Sequence, residues 1–185
     1  MLNTISGFLG VGGAVAGNFE SIATYTVTGS SVSSWSLSAI PSTYKHLQLR
    51  CFFKTDSATW VPFSVNSDTQ GQRATHFLRG NGSAASAGNG LGATNEGNYV
   101  ILAEPSQWGS AIVDILDYAS TNKNKTSRVL SGFDGNGSGN ILLSSVLHVT
   151  NGTTAVSSVG MDITQYGSGA KFVVGSTFAL YGIKG

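Results

Sequence analysis

The sequence predicts an all-β protein: a single jelly-roll-like β-sandwich with an extended, Gly-rich and apolar N-terminal arm. Only 10% of the 185 residues are charged and 25 are glycine, whereas helical bundles are rich in Ala, Leu, Glu and Lys. Apolar and polar residues alternate with a period of two, and turn residues recur roughly every 8–12 positions, as in sandwiches and barrels. The expected division is an arm at residues 1–18 and a sandwich domain at residues 19–185.

The arm, residues 1–18, is apolar and contains no charged side chain. It ends near Ala14-Val-Ala16, which imitates a signal-peptidase site. However, no Lys or Arg precedes the apolar run, and glycines interrupt it. It is also too short and Gly-rich to span a bilayer. A flexible terminus and an arm that docks on a neighbouring subunit both fit, and the second is favoured. The candidate partner-binding residues are Leu2, Ile5, Phe8, Leu9 and Val11.

Period-two alternation places the strands of the sandwich domain. The predicted strands are 22–28, 32–37, 46–54, 60–65, 75–79, 99–103, 111–118, 126–132, 140–149, 155–161 and 171–183. The clearest is 46–54, where Leu47, Leu49, Cys51 and Phe53 are expected to point inward. Pro62 has no amide proton to donate, so strand 60–65 is expected at an edge or a bulge.

Turn residues separate these strands. Residues 134–139 read Asp-Gly-Asn-Gly-Ser-Gly, and Asp-Gly and Asn-Gly steps are strong hairpin signals. Residues 80–92 are of low complexity and predict a loop, which we extend to residue 98. A loop of that length is uncommon in a compact domain and is usually functional or mobile.

The pattern of reactive residues predicts that the chain is not an enzyme. No serine lies in the Gly-x-Ser-x-Gly pattern of a nucleophile elbow. Asp114 and Asp117 are three apart on a strand, so they are expected to point to opposite faces and not to act as a pair. His46, His76 and His148 are distant in sequence, which favours surface or hydrogen-bonded roles over a metal site.

Asp134, Asn136 and Ser138 are weak candidate metal ligands. Their Asp-x-Asn-x-Ser-Gly order resembles the start of a calcium loop, which needs a bidentate acid at its twelfth position. Ser145 stands there instead, so a Gly-rich hairpin is favoured and no cofactor is expected. Cys51 is the single cysteine. It can form no intramolecular disulfide, and its strand position predicts a buried, inert thiol.

Charge and aromatic residues bear on the partners. The formal net charge is +1, and the small cluster of Lys123, Lys125 and Arg128 is interpreted as a solvated turn. We therefore expect no nucleic-acid partner. Three tryptophans and six tyrosines are interpreted as core or interface anchors, with a sugar-stacking platform as the alternative.

Six stretches, taken in order, resemble a group of tailed-bacteriophage virion proteins from phages of aquatic bacteria. These are residues 19–24 (FESIAT), 40–50 (IPSTYKHLQLR), 78–83 (LRGNGS), 115–123 (ILDYASTNK), 130–134 (LSGFD) and 176–184 (STFALYGIK). The resemblance covers the body of the chain but not the arm. It implies a non-enzymatic, β-rich structural protein of the phage particle, without deciding between head and tail.

Two functions remain open. The first is a capsid decoration or cement protein, whose arm docks on capsid subunits and whose β domain oligomerises on the particle surface, with a homotrimer as the expected oligomer. Its partners would be the major capsid protein or other virion proteins, and it would assemble in the host cytoplasm. The second is a tail-fibre or receptor-binding module that contacts host glycan or protein through loops and exposed aromatics. Low charge favours packing against neighbours over a free monomer. Neither function involves a membrane.

Overall fold

The structure, a computed structural model, describes residues 17–68, 73–91, 101–149, 153–166 and 168–185. The strands within these ranges are β1 (Phe19–Thr26), β2 (Ser34–Leu37), β3 (His46–Phe53), β4 (Thr59–Val61), β5 (Ser64–Val65), β6 (Arg73–Gly80), β7 (Ala85–Leu91), β8 (Ile101–Ala103), β9 (Gly109–Leu116), β10 (Lys125–Asp134), β11 (Gly139–His148), β12 (Val159–Asp162) and β13 (Thr177–Ile183). A short 3₁₀ helix follows β12 at Ile163–Tyr166.

The strands form three antiparallel sheets. The large sheet has eight strands in the order β1-β13-β3-β9-β10-β11-β6-β7, a second sheet has the order β2-β12-β5, and β4 pairs with β8. The prediction of an all-β sandwich is confirmed, whereas this strand order does not confirm the jelly-roll detail. Pro62 lies in the break between β4 and β5, where its missing amide proton removes no ladder hydrogen bond.

One core fills the space between the inner face of the eight-stranded sheet and the smaller sheets. The register places Leu180, Leu49, Val113 and Val129 in one row across four neighbouring strands, and all four are fully buried. Burying each such side chain contributes roughly 1.5–3 kcal/mol. The predicted inward set on β3 is confirmed, since Leu47, Leu49, Cys51 and Phe53 are all buried.

An aromatic cluster closes one end of this core. The Trp35 ring of β2 stacks on Phe178 of β13 with centroids 4.3 Å apart. Phe172 meets Phe178 edge-on at 5.1 Å and Phe53 at 5.7 Å. Trp35 therefore joins the small sheet to the large one, which confirms the core interpretation for this tryptophan.

The hairpin predicted at residues 134–139 is present. β10 and β11 pair from Asp134↔Gly139 down to Lys125↔His148. Asn136 and Gly137 have φ angles of 59° and 97°, a left-handed conformation that Asn and Gly tolerate best. The turn therefore fixes the register of the two longest strands of the sheet.

The loop prediction for residues 80–98 is wrong at residues 85–91, whereas residues 81–84 form a turn. Ala85–Leu91 forms β7, which pairs with β6 over its whole length and is an edge of the large sheet. Its Ala, Ser, Gly and Asn residues have low strand propensity, but backbone hydrogen bonds to β6 hold it in place. Residues 92–98 lie outside the described residues.

Two further predictions lie partly or wholly outside the described residues. The candidate arm residues belong to the segment 1–16, which is not described. Those residues are Leu2, Ile5, Phe8, Leu9 and Val11. The strand predicted at 99–103 is described only as β8, from residue 101 onward.

Candidate functional site

The outer face of the eight-stranded sheet carries a row of exposed aliphatic side chains. Cross-strand pairing places Ile112 beside Leu130, Leu130 beside Leu143, and Leu143 beside Leu78. The row thus crosses four neighbouring strands, β9, β10, β11 and β6. We call these four residues the apolar ladder. Their exposed fractions are Ile112 40%, Leu130 48%, Leu143 50% and Leu78 58%.

An aromatic pair lies on one side of the ladder, because Phe52 is two residues along β3 from Arg50, the partner of Ile112. Phe52 and Trp108 stack with centroids 4.9 Å apart and planes 5° from parallel, and both are exposed. Ile141 lies in the same region and pairs with two glycines, Gly80 and Gly132, so no side chain flanks it on either strand. Phe52, Trp108, Ile141 and two ladder residues line a groove of about 440 Å³.

A polar row borders the ladder on its other side. Gln48 donates from Nε2 to Asp114 Oδ1 at 2.8 Å, and Arg50 Nε donates to Gln48 Oε1 at 2.8 Å. Asp114 faces Arg128 across β9 and β10, and Arg128 faces Ser145 across β10 and β11. Asp114 and Arg128 therefore lie beside the ladder, whereas Arg50 pairs with Ile112 and lies at the β3 end of the ladder row.

This arrangement matters energetically because the ladder is contiguous. Exposed apolar residues scattered over a surface are ordinary, whereas a continuous patch marks an interaction site. Each half-exposed Leu or Ile leaves about 1 kcal/mol of burial unrealised. Covering the four ladder residues would therefore contribute roughly 4 kcal/mol to an association.

A polar network of a different kind lies inside the core. Ser127 Oγ and His148 Nε2 are 2.9 Å apart, and His148 Nδ1 and Asp68 Oδ2 are 2.7 Å apart. Arg73 donates from Nε and Nη2 to the same carboxylate at 3.2 and 3.0 Å. The network joins β6, β10 and β11 to the loop that follows β5.

The network has the hydrogen-bond order of a Ser-His-Asp triad, but its environment is that of a structural core. Ser127, Asp68, Arg73 and His148 are all at most 2% exposed, so in this conformation no reacting atom of a substrate can reach Ser127. Burial alone would raise the pKa of Asp68, but the His148 hydrogen bond and the Arg73 charge outweigh burial and lower that pKa. The carboxylate is thus held ionised between two donors.

The two predicted acids Asp114 and Asp117 are not brought together. Asp114 lies in the polar row, whereas Asp117 lies in the turn after β9 with a φ of 47°. Lys123 donates to the Asp117 carboxylate, and Lys45 Nζ lies 3.7 Å from it. The Lys123 hydrogen bond, together with the charges of Lys123 and Lys45, lowers the pKa of Asp117.

The prediction of a solvated turn is wrong for Lys125, which is only 2% exposed, whereas Lys123 and Arg128 are exposed. Its Nζ donates to the carbonyl oxygens of Ser120, Lys123 and Thr153. Burial lowers the pKa of Lys125. Sequence periodicity could not show this, because the carbonyl cage comes from two separate turns.

The candidate calcium ligands lie in the β10–β11 hairpin. Asp134 Oδ1 accepts a hydrogen bond from the Asn136 amide at 2.9 Å, and Ser138 Oγ donates to the Gly135 carbonyl at 3.4 Å. Among the described residues, no three His, Cys, Asp or Glu side chains are grouped as metal ligands. The turn therefore uses these polar groups for its own backbone.

The remaining predicted residues have defined places. Cys51 is buried, and burial raises the pKa of its thiol. His46 Nδ1 accepts a hydrogen bond from the Asp117 amide at 2.9 Å, whereas His76 is exposed on β6. His148 is buried and hydrogen-bonded, which is one of the two roles, surface or hydrogen-bonded, that the sequence predicts.

Comparison of the chain with protein-family models, with curated proteins and with solved structures finds no match in any of the three. Within the part of the chain that the structure describes, none of the helices has the length and apolar character needed to cross a membrane. The surface itself therefore carries the functional argument.

Sequence reasoning missed both the apolar ladder and the buried network. A signal for the ladder was present, because Phe77-Leu78, Val129-Leu130 and Leu142-Leu143 are adjacent apolar pairs inside strands. Adjacent apolar residues on a strand point to opposite faces, so one of each pair must leave the core. No comparable signal links Asp68 to Ser127 and His148.

Proposed function

We propose that this chain is a non-enzymatic structural subunit of a tailed-phage particle, namely a capsid decoration or cement protein. Its β domain oligomerises on the particle surface as a homotrimer, and its arm contacts neighbouring virion proteins such as the major capsid protein. The observation that carries the proposal is the apolar ladder. A contiguous aliphatic row is costly in water but is typical of a surface that an assembly covers.

Low charge supports the same role. Only 10% of the residues are charged, and the ladder side chains carry none. The four ladder side chains therefore bring no charge into a contact, and the Arg50 guanidinium lies at the end of the row beside Ile112. The chain has one cysteine, which suits assembly in a reducing host cytoplasm. The six stretches that resemble phage virion proteins support the particle as the setting.

A second candidate function rests on the aromatic pair. Phe52 and Trp108 present exposed stacked rings beside a groove, and Lys54 Nζ lies 5.6 Å from the Trp108 ring centre. Exposed aromatic rings with a polar neighbour suit the apolar face of a sugar. This favours a tail-associated receptor-binding module that contacts host glycan.

Immunogold labelling of the phage particle separates the two functions. Label distributed over the head, with hundreds of copies per particle, is the expected result. Label confined to the tail, with a few copies, overturns the decoration proposal in favour of the receptor-binding one. Particles without label overturn both.

A paired variant tests the ladder directly. Leu130→Ser with Leu143→Ser removes two facing ladder residues, and we expect about 30-fold weaker binding to heads that lack the protein, since two half-buried leucines correspond to about 2 kcal/mol. Thr126→Ala with Ser145→Ala is the matched control on the same two strands. Equal binding by both variants would show that the ladder takes no part in assembly on the head.

A further inference from the structure

We infer that residues 1–16 of one copy pack on the apolar ladder of a second copy, so that each copy donates an arm and accepts one. This inference rests on the proposed assembly role of the outer face and names the partner that covers it.

The first step concerns composition. Residues 1–16 contain no Lys, Arg, Asp, Glu or His, and the segment has an apolar residue at most positions outside its glycines. Such a segment is stabilised by leaving water. The ladder is the complementary surface on the described domain, because its four side chains are aliphatic and about half exposed. The arm itself therefore brings no charge into this contact.

The second step concerns reach. The described chain starts at Gly17, directly before β1, and the Lys184 amide donates to the Asn18 carbonyl at 2.9 Å. This bond fixes where the arm leaves the edge of the sheet. Sixteen extended residues span about 53 Å at about 3.3 Å each. The four neighbouring ladder strands, at about 4.8 Å spacing, are about 14 Å wide, so the arm is long enough to cover a neighbour's ladder.

The third step selects the second copy over the arm's own ladder. β1 is one edge of the sheet, and the ladder lies in the opposite half, on β9, β10, β11 and β6. Between them the Arg50 guanidinium lies over the Tyr181 ring at 4.8 Å and the Phe19 ring at 5.6 Å. An arm folding back on its own sheet would have to reverse near Gly17 and cross this charged group, whereas the arm of a second copy can reach the ladder from the β7 edge of the sheet.

An arm that binds a neighbour's ladder makes a heterologous contact, in which the two partners use different surfaces. Such contacts close into rings when the rotation between copies allows it. This agrees with the homotrimer of the proposed function. The two halves of a heterologous contact can also be removed separately, because one variant can lose the arm and another can lose the ladder.

The experiment is a complementation test. One variant lacks residues 1–16 and keeps Gly17 and Asn18. The other carries Leu130→Ser and Leu143→Ser and keeps the arm. Sedimentation equilibrium is expected to give three times the 19.1 kDa chain mass for the full chain. Each variant alone should dissociate into single chains at a concentration at least about 30-fold higher than the full chain does, and the mixing experiment is run at such a concentration. An equimolar mixture should recover a two-chain complex, with the arm of one variant on the intact ladder of the other.

The other outcomes separate the inference from the proposed function. If the mixture stays monomeric, or if the armless variant still forms the full oligomer, the arm does not bind the ladder and the inference fails. If the armless variant also labels the heads normally, the decoration proposal stands although the inference about the arm has failed. If heads carry no label at all, the proposed function fails.

A cross-link shows whether the arm binds the ladder of its own chain or the ladder of a second copy. A photoreactive phenylalanine analogue at Phe8 is placed in a chain of ordinary isotopes and mixed with isotopically heavy chains. Cross-links from the light arm to heavy peptides that contain Leu130 or Leu143 are expected. Cross-links confined to light peptides at low chain concentration would overturn packing on a second copy.

Discussion

Asp68→Asn should strongly destabilise the protein, because the variant leaves a buried cation without its counter-ion. The Asp68 carboxylate accepts hydrogen bonds from the Val65 amide at 3.0 Å, from His148 Nδ1 at 2.7 Å and from two Arg73 nitrogens at 3.2 and 3.0 Å. The side chains of Asp68 and Arg73, which form the ion pair, are both fully buried. The neutral amide keeps the shape of the carboxylate but not its charge.

The expected cost follows from this geometry. Breaking a buried ion pair by removing one partner costs about 3–5 kcal/mol, a large share of the roughly 5–15 kcal/mol that stabilises a typical domain. Urea unfolding followed by tryptophan fluorescence measures the free energy of unfolding. The slope of that free energy against urea concentration should change little, because the surface exposed on unfolding is the same.

Two further variants make the test decisive. Asp114→Asn is the matched control, since Asp114 is a part-exposed carboxylate with one hydrogen bond from Gln48, and its loss should cost below about 1 kcal/mol. Asp68→Asn combined with Arg73→Met removes both charges and should recover much of the lost stability. If Asp68→Asn were as stable as Asp114→Asn, the buried pair would not be holding β6 to the loop after β5.

Three other predictions concern pH, packing and thiol access. The lowered pKa of Asp68 means that the stability contributed by its carboxylate is present above the unfolded aspartate pKa of about 3.9 and is lost as pH falls through the folded pKa. Urea unfolding between pH 6 and pH 3 should show a falling free energy of unfolding, and this dependence on pH should be weaker in Asp68→Asn. Gly160→Ala should cost about 1–3 kcal/mol, because a Cβ there would lie 2.6 Å from the Trp35 carbonyl oxygen, whereas Gly169→Ala has open space and should be near neutral in thermal unfolding. Cys51 should react with a disulfide reagent only on unfolding, since it is buried and its thiol pKa is raised; rapid labelling of the native protein would contradict its place in the core.

Residue alternation and turn dipeptides correctly predicted those parts of the fold that neighbouring residues in the sequence determine. Strict alternation on β3 identified Leu47 and Phe53 as inward residues, and the Asp-Gly and Asn-Gly steps identified the β10–β11 turn. Both signals act within a few residues. β7 was missed because its stability comes from backbone pairing with β6, and small residues such as Ala85 and Gly88 give no strand signal of their own.

The candidate site depended on register, which one-dimensional pattern does not supply. The ladder residues Ile112, Leu130, Leu143 and Leu78 come from four strands, and they form a row only when each strand pairs at one particular offset. A shift of one residue would turn them into the core. The buried network has the same origin, because Asp68 and His148 are 80 positions apart.

An electron cryomicroscopy reconstruction of the phage particle tests the central proposal most directly. The decoration role predicts this β domain on the head surface, with polypeptide of a neighbouring chain within about 4.5 Å of the Leu130 and Leu143 side chains, the distance of apolar contact. A reconstruction in which the domain sits on the particle with its ladder facing solvent would contradict assembly through this face. A head surface without the domain would contradict the decoration role itself.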